Sequence, residues 1–377
     1  MNSGEGRRTK IDIILVFCVV VLTVFGLIMI YSTSAYEANA QFQNPTYYFR
    51  KQMIAVALGL LVFGATMFID YRLYKKIPPV LYIILSVLFI LLLKSSLAYS
   101  ANGATRWLRI FGFSFQPAEL VKTCMIMYVA SRIRIDSETT WRELLKIMAV
   151  PGIMALLIVL ISNNMSSAII VVAIPLVMCF VISKDYRRFI IIAIAAVAIA
   201  AILVLIVANQ DKFGGQGGFR FARIKAWLDV DKYSSGISYQ TVQSLYAIGS
   251  GGFWGKGIGE SVQKLGFIPE AQNDMIFAVM CEELGLFGAF IVMTVFALLI
   301  YRCVYAAAGA RDKTGCMIAT GVMTHIAVQV ILNIAVVTNT IPNTGISLPF
   351  ISYGGSSIIF LMAEVGIVAN IGRSSGE

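Results

Sequence analysis

Charge is what this chain has least of. Only 13% of its 377 residues are Asp, Glu, Lys or Arg, against 58% hydrophobic, whereas a soluble globular domain carries about 25% charged residues. Histidine is almost missing: His325 stands alone, which excludes a His-based metal cluster. The six cysteines (Cys18, Cys124, Cys179, Cys281, Cys303, Cys316) lie within apolar runs or at their ends, so no disulfide framework is expected. The net charge of +10 invites a nucleic-acid reading. The basic residues sit instead in short loops between apolar runs, as the positive-inside rule requires, and no nucleic-acid partner is expected.

What is present is membrane-spanning sequence. Runs of about 18 to 25 apolar residues are long enough to cross a bilayer. Ten occur, at 11–31, 52–69, 78–94, 117–133, 146–162, 166–183, 188–208, 274–301, 314–338 and 356–372. The fold expected is an all-α polytopic membrane protein, one integral membrane domain over 1–377. It has ten transmembrane helices and one large extracytoplasmic loop, 209–273, between spans seven and eight. Arg7-Arg8-Thr9-Lys10 ahead of the first run has the look of a signal peptide. That run continues to Tyr31 without a small-residue cleavage site, so it is read as a retained span. Seventeen Lys and Arg fall in the segments assigned inside and five (Arg50, Lys51, Lys94, Arg106, Arg109) in the short outside loops. Residues 1–10 and 373–377 are therefore expected in the cytoplasm, and the large loop and Asp274 outside.

Asp274 sits where a polar, Pro-containing approach becomes the eighth apolar run, with Glu282 and Glu283 about two turns deeper. Carboxylates at membrane depth are costly and default to functional candidates; the plain alternative for Asp274 is a helix N-cap. Between spans three and four, Arg106, Trp107 and Arg109 are interleaved with Phe and Gly, which suggests a segment lying in the headgroup region. Glu119 and Lys122, spaced i, i+3, share a helix face, either as functional charges or as a pair that neutralises itself. In the large loop, Arg220, Arg223 and Lys225 oppose Phe221, Ile224 and Trp227. This short basic amphipathic helix is either an interfacial anchor, which composition favours, or a clamp for phosphate. The glycines from Gly249 to Gly259 suit a backbone nest for an anion but lack a nucleotide P-loop ending. The loop at 339–357 has no charge and many Pro, Gly, Ser and Asn. It is expected to run irregularly, as backbone at membrane depth can only where it is buried or lines a polar cavity. His325 is read as hydrogen-bonded packing rather than a relay.

Five stretches, in order, resemble the SEDS family, the FtsW, RodA and SpoVE proteins. They are Asn102-Gly103 with Arg106-Trp107 through Lys122; Tyr239-Gln240 with Gln243-Ser244 and Gly249 to Gly252; Gln263-Lys264 through Pro269-Glu270-Ala271 to Asp274; Glu282-Glu283 to Gly285; and Leu348-Pro349-Phe350 through Ser352-Tyr353-Gly354-Gly355-Ser356-Ser357. The last block looks closer to FtsW and SpoVE than to RodA. The resemblance implies a peptidoglycan glycosyltransferase. Such an enzyme polymerises lipid II, a disaccharide-pentapeptide on undecaprenyl pyrophosphate, at the outer face of the bacterial cytoplasmic membrane. Its partner is a class B penicillin-binding protein of the division or elongation machinery. Asp274 is implied as the catalytic base and Lys122 as its pair. Arg106, Arg109, Arg220, Arg223 and Lys264 are expected near the pyrophosphate, with Glu119, Gln240, Ser244, Ser352 and Ser356 as further substrate contacts. The leaving group's charge is met by these cations or by a divalent ion such as Mg or Mn. Two departures stand out: Gln272-Asn273 replaces the family's His-Thr before the aspartate, and Asn164 replaces an acidic residue after the fifth span. A flippase for lipid-linked precursors and a scaffold for division partners are the alternatives.

Overall fold

The computed structural model describes residues 11–101, 104–110, 113–132, 140–208 and 219–374. The chain begins with α1 (Ile13–Phe42), α2 (Tyr47–Phe68), the one-turn α3 (Arg72–Lys76) and α4 (Pro79–Leu91). Three short strands follow, β1 (Ala98–Ala101), β2 (Ala104–Ile110) and β3 (Phe113–Phe115). Next come α5 (Pro117–Arg132), α6 (Trp141–Ser162), α7 (Met165–Ile182) and α8 (Arg187–Ala208). The long connection after α8 carries α9 (Phe219–Leu228) and α10 (Tyr239–Gly251), and α11 (Ile276–Ala308), α12 (Lys313–Val337) and α13 (Gly355–Ser374) complete the fold. Among the described residues, α1, α2, α6, α7, α8, α11, α12 and α13 are long and apolar enough to cross a membrane. The shorter α4 and α5, of 13 and 16 residues, lie at the third and fourth apolar runs. Residues 1–10, 209–218 and 375–377, and the side chain of Arg220, lie outside the described residues, so the expectations for the termini, the start of the large loop and Arg220 are not addressed.

Helix ends follow local chemistry. Thr140 and Glu143 form a capping box at the start of α6, each side chain taking the other's backbone N–H. After α6, Asn163 turns left-handed at φ 51°, and Asn164 Oδ1 caps α7 by accepting from Ser167 N at 3.0 Å. A cap needs an acceptor oxygen rather than a charge, so the neutral Asn164 fills this structural role in place of an acid.

The segment around Arg106 takes a regular form that its composition did not specify. It is a three-stranded antiparallel sheet, with Leu108 opposite both Ala98 and Phe115. The reason is a period of two that interleaved aromatics concealed: Leu108 is fully buried while Arg109 is exposed. The glycine-rich part of the large loop also differs. Tyr239–Gly251 is helical, and the backbone beyond it is spent on repairing a break in α11. At Gly285 that helix turns to φ 68° and ψ −173°, a conformation only glycine adopts readily. Four backbone groups around the break are taken up by the loop: Lys256 N donates to Glu282 O at 3.0 Å and Gly257 N to Glu283 O at 2.9 Å. In return Leu286 N and Phe287 N donate to Gly252 O and Phe253 O. Two of the N–H groups that an anion nest would use are thereby committed to helix carbonyls.

The loop at 339–354 is irregular and largely buried, as expected: Leu348, Phe350 and Ile351 are all at most 3% exposed. Its polar backbone is satisfied from inside, by Ser352 Oγ accepting from Leu348 N at 2.7 Å and Gln52 Oε1 accepting from Gly354 N at 3.1 Å. Behind it α12 runs through the protein interior with His325, Gln329 and Asn333 all buried along one face. By contrast α8 buries only Phe189 and Val207.

Candidate active site

Asp274 lies two residues before α11, at the end of a run of turns. The helix is preceded by Met275, without a side-chain cap bond, so the N-cap alternative does not describe Asp274. Its Oδ1 accepts from Gln240 Nε2 of α10 at 3.3 Å. Its main-chain carbonyl accepts from Asn333 Nδ2 of α12 at 2.9 Å, and the same nitrogen donates to Ile346 O at 2.7 Å. One fully buried amide thus holds the start of α11 and the loop between α12 and α13 together. Gly345 of that loop adopts φ 65°, and a Cβ built there would stand 3.5 Å from Asp274 Oδ2 and 3.6 Å from Arg106 Nη1. Glycine keeps the carboxylate and the guanidinium facing a shared space.

Distant parts of the chain converge here. Arg106 reaches from β2 to the α6–α7 turn, donating to Asn163 O at 3.1 Å, and Arg223 reaches from α9 to donate to Asn343 O at 3.1 Å. Asn343 Nδ2 donates to Gln240 Oε1 at 3.2 Å, which ties the loop of Gly345 to α10. Burial pushes the Asp274 carboxyl up to about 6, and Glu270 pushes the same way; a backbone hydrogen bond, Arg106 and Arg223 pull it back. Burial lowers both guanidinium pKa values, that of Arg106 further by its neighbour Arg223, yet both remain charged at physiological pH. The result is a carboxyl that changes protonation near neutrality, beside two cations at a part-buried site. It can accept a proton and face a developing anion.

The remaining sequence candidates divide. Lys122 is buried, paired with Glu119 Oε1 at 2.7 Å and donating to Gln329 Oε1 at 2.9 Å. It bonds to these two groups rather than to Asp274. Glu119 also accepts from Ser357 Oγ at 3.0 Å. The network continues from Gln329 to His325 at 3.0 Å and from His325 to Glu364 at 2.7 Å, with Thr123 donating to Glu364. His325 therefore has two partners that the sequence did not name. Lys264 lies apart, paired with Glu283 at 2.7 Å, and Lys256 pairs with Glu282 at 2.7 Å; these two glutamates hold the loop rather than face Asp274. Arg109 lies over the Tyr99 ring at 5.2 Å. Ser244 Oγ donates to Gln240 O, and Ser356 Oγ accepts from Gln116 N. With Ser352, these serines clamp backbone.

Asn333, Asn343, Gly345 and Glu270 were not singled out from sequence. One signal was available: His325, Gln329 and Asn333 recur every fourth residue, which places three polar groups on one helix face. Among the described residues no group of three or more His, Cys, Asp or Glu is placed to hold a metal. A cation at Asp274 would meet Glu270 but also two guanidiniums, a donor set that does not suit a divalent ion.

Comparison with known proteins agrees with the expected resemblance. The family described as cell cycle protein, FTSW_RODA_SPOVE, matches residues 12–377. The probable peptidoglycan glycosyltransferase FtsW of Trichlorobacter lovleyi is 35% identical over 369 residues, 97% of this chain and 94% of that protein. The stage V sporulation protein E of Bacillus subtilis is 33% identical over 371 residues, 98% of this chain and 99% of that protein. The same fold occurs in a structure described as "Structural coordination of polymerization and crosslinking by a peptidoglycan synthase complex", with TM-score 0.73 and 23% identity, covering 97% of this chain and 98% of that one. It occurs again in the rod shape determining protein RodA of Thermus thermophilus, with TM-score 0.64 and 23% identity, covering 97% of each chain. With matching motifs, near-complete coverage and a shared fold, this chain is a polytopic membrane protein that belongs to the FtsW/RodA/SpoVE family.

Proposed function

We propose that this protein is a peptidoglycan glycosyltransferase that polymerises lipid II at the outer face of the bacterial cytoplasmic membrane. The observation that carries the reading is the placement of Asp274, a part-buried carboxyl that accepts from Gln240 and shares the space over Gly345 with the Arg106 guanidinium. Asp274 takes the proton from the C4 hydroxyl of the acceptor N-acetylglucosamine. The freed oxygen bonds to the anomeric carbon of the donor N-acetylmuramic acid, and the bond from that carbon to undecaprenyl pyrophosphate breaks. The leaving group carries away the electron pair, and Arg106 and Arg223 meet its charge. A positioned base contributes about 10²–10⁴-fold in rate.

The wider arrangement follows from the Lys/Arg bias. The eight long helices, with α4 and α5, make ten spans. Both termini then face the cytoplasm, and the loop at 209–273 and Asp274 face outside. A class B penicillin-binding protein is the partner this reading requires, supported by the relation to a complex whose description joins polymerisation to crosslinking. The buried charges of Glu119, Lys122 and Glu364 among the spans favour a second reading, a lipid-precursor flippase. The two separate in detergent, which has no sides: purified protein with lipid II, with and without the cognate penicillin-binding protein, yields glycan chains if it is a polymerase. Absence of polymer in both conditions contradicts the proposal.

A further inference from the structure

A pocket of about 140 Å³ shares two residues with the surroundings of Asp274. Gln240 lines it and donates to Asp274, and Arg223 lines it and acts on the charge of Asp274. The other lining groups that matter are Trp227, Thr241, Asn339 and Asn343. Trp227 is fixed by its indole N–H donating to Asn339 O at 2.9 Å.

Resting on the glycosyltransferase reading, we propose that this pocket seats the acceptor sugar, one N-acetylhexosamine ring, and so delivers its hydroxyl to Asp274. Size supports a single ring: whole-ligand pockets run to about 300–1,000 Å³, and this one is smaller. Chemistry supports a sugar over a phosphate. Among the described residues Arg223 is the one charged residue in the lining, and one of its N–H groups is already given to Asn343 O. The remainder is an indole, carboxamides, two hydroxyls and the apolar Ala226 and Ile237, a set that matches a pyranose with its apolar C–H face and its rim of hydroxyl and acetamido groups. The contacts of Gln240 to Pro269 O, Asp274 Oδ1 and Asn343 Nδ2 are 3.2, 3.3 and 3.2 Å, longer than the preferred 2.9–3.0 Å or so. They are weak enough for the amide to trade one for a sugar hydroxyl, and Gln240 would then hold that hydroxyl at the carboxylate. In this arrangement Trp227, Thr241 and Asn343 select the acceptor, and Gln240 positions it.

The test is binding, with turnover kept out of it. Detergent-solubilised Asp274→Asn protein is titrated with two probes, the lipid-free N-acetylglucosaminyl-N-acetylmuramyl-pentapeptide and inorganic pyrophosphate, and followed by saturation-transfer NMR. The proposal expects the sugar probe to bind, and Trp227→Ala to weaken it by about tenfold with pyrophosphate binding unchanged. Thr241→Val, which keeps the side-chain shape, should weaken the sugar probe in the same sense. Loss of pyrophosphate binding with sugar binding intact would make the pocket an anion site and overturn the proposal. Unchanged sugar binding in both folded variants overturns it as well. Sugar binding that depends on Trp227 in a protein whose wild type makes no glycan would sink the glycosyltransferase reading and leave the sugar subsite standing.

Discussion

Asn333 and Asp274 meet through a single hydrogen bond, side-chain nitrogen to main-chain carbonyl at 2.9 Å, across 59 residues of sequence. The same nitrogen holds Ile346 O at 2.7 Å, so the carboxylate proposed as the base is aimed by backbone. Its side chain stays free to face Gln240, Arg106 and the solvent side of the site. Replacing Asn333 by Ala removes both donors and leaves two carbonyls without their partner. We expect a loss of about 2–5 kcal/mol in stability, read as a lower melting temperature. Glycan synthesis assayed well below that temperature should still fall about tenfold or more, because small displacements of a reacting group are costly. A normal rate in folded Asn333→Ala protein would remove Asn333 from the account of positioning.

The pH dependence has a definite sign. Asp274 acts as a base only when ionised, so the rate should fall as pH drops through about 6. Arg106 pulls that value down; its replacement by Gln disfavours the charged form and should move the acid limb to higher pH. An acid limb that stays in place in Arg106→Gln protein would show that the two side chains do not interact.

Lys122 is bound to Glu119 and Gln329 inside the helical bundle. Breaking a buried pair by removing one partner costs about 3–5 kcal/mol because a charge is left uncompensated. Lys122→Met should therefore destabilise strongly, and adding Glu119→Gln should recover much of the loss. The acid limb of the rate profile should not move in the double variant, since the charges acting on Asp274 are Glu270, Arg106 and Arg223. A shift to higher pH would instead restore the direct pairing of Lys122 with Asp274 that the family resemblance implies.

Much of this was legible before any coordinates. Apolar run length located the starts of these helices within about five residues, because a membrane helix is specified by composition over about 20 positions. Yet α1 continues past Tyr31 to Phe42 and α11 past Tyr301 to Ala308, through polar residues that composition counts against a span. Asp274, Arg106, Arg223 and Gln240 were each candidates, and all four come together at the site. What was hidden depends on pairing between distant segments. Lys264 looked like a phosphate ligand until Glu283 appeared beside it at 2.7 Å. Ser244, Ser352 and Ser356 are matched by motif, but their hydroxyls bond to backbone, which motif spacing cannot reveal. The sheet at Ala98–Phe115 was missed because its strands are short and its aromatics fit an interfacial segment equally well. The break at Gly285 was invisible for a related reason: a glycine in an apolar helix carries no mark of the loop that repairs it.

The central claim is that Asp274 is the base of a polymerase, held in the protein at some cost to stability. Its folded value of about 6 lies above the ordinary 3.8. Such a carboxyl binds its proton more tightly when folded, so stability falls as pH rises from about 4 to about 6 and stays reduced above that. Neutralising the site by Asp274→Asn should relieve up to about 3 kcal/mol at pH 7. The decisive measurement pairs lipid II polymerisation in detergent with thermal unfolding, for wild type and Asp274→Asn side by side at neutral pH. The account predicts no glycan from Asp274→Asn and a melting temperature equal to or above that of wild type. Glycan chains made by Asp274→Asn at the wild-type rate would contradict it.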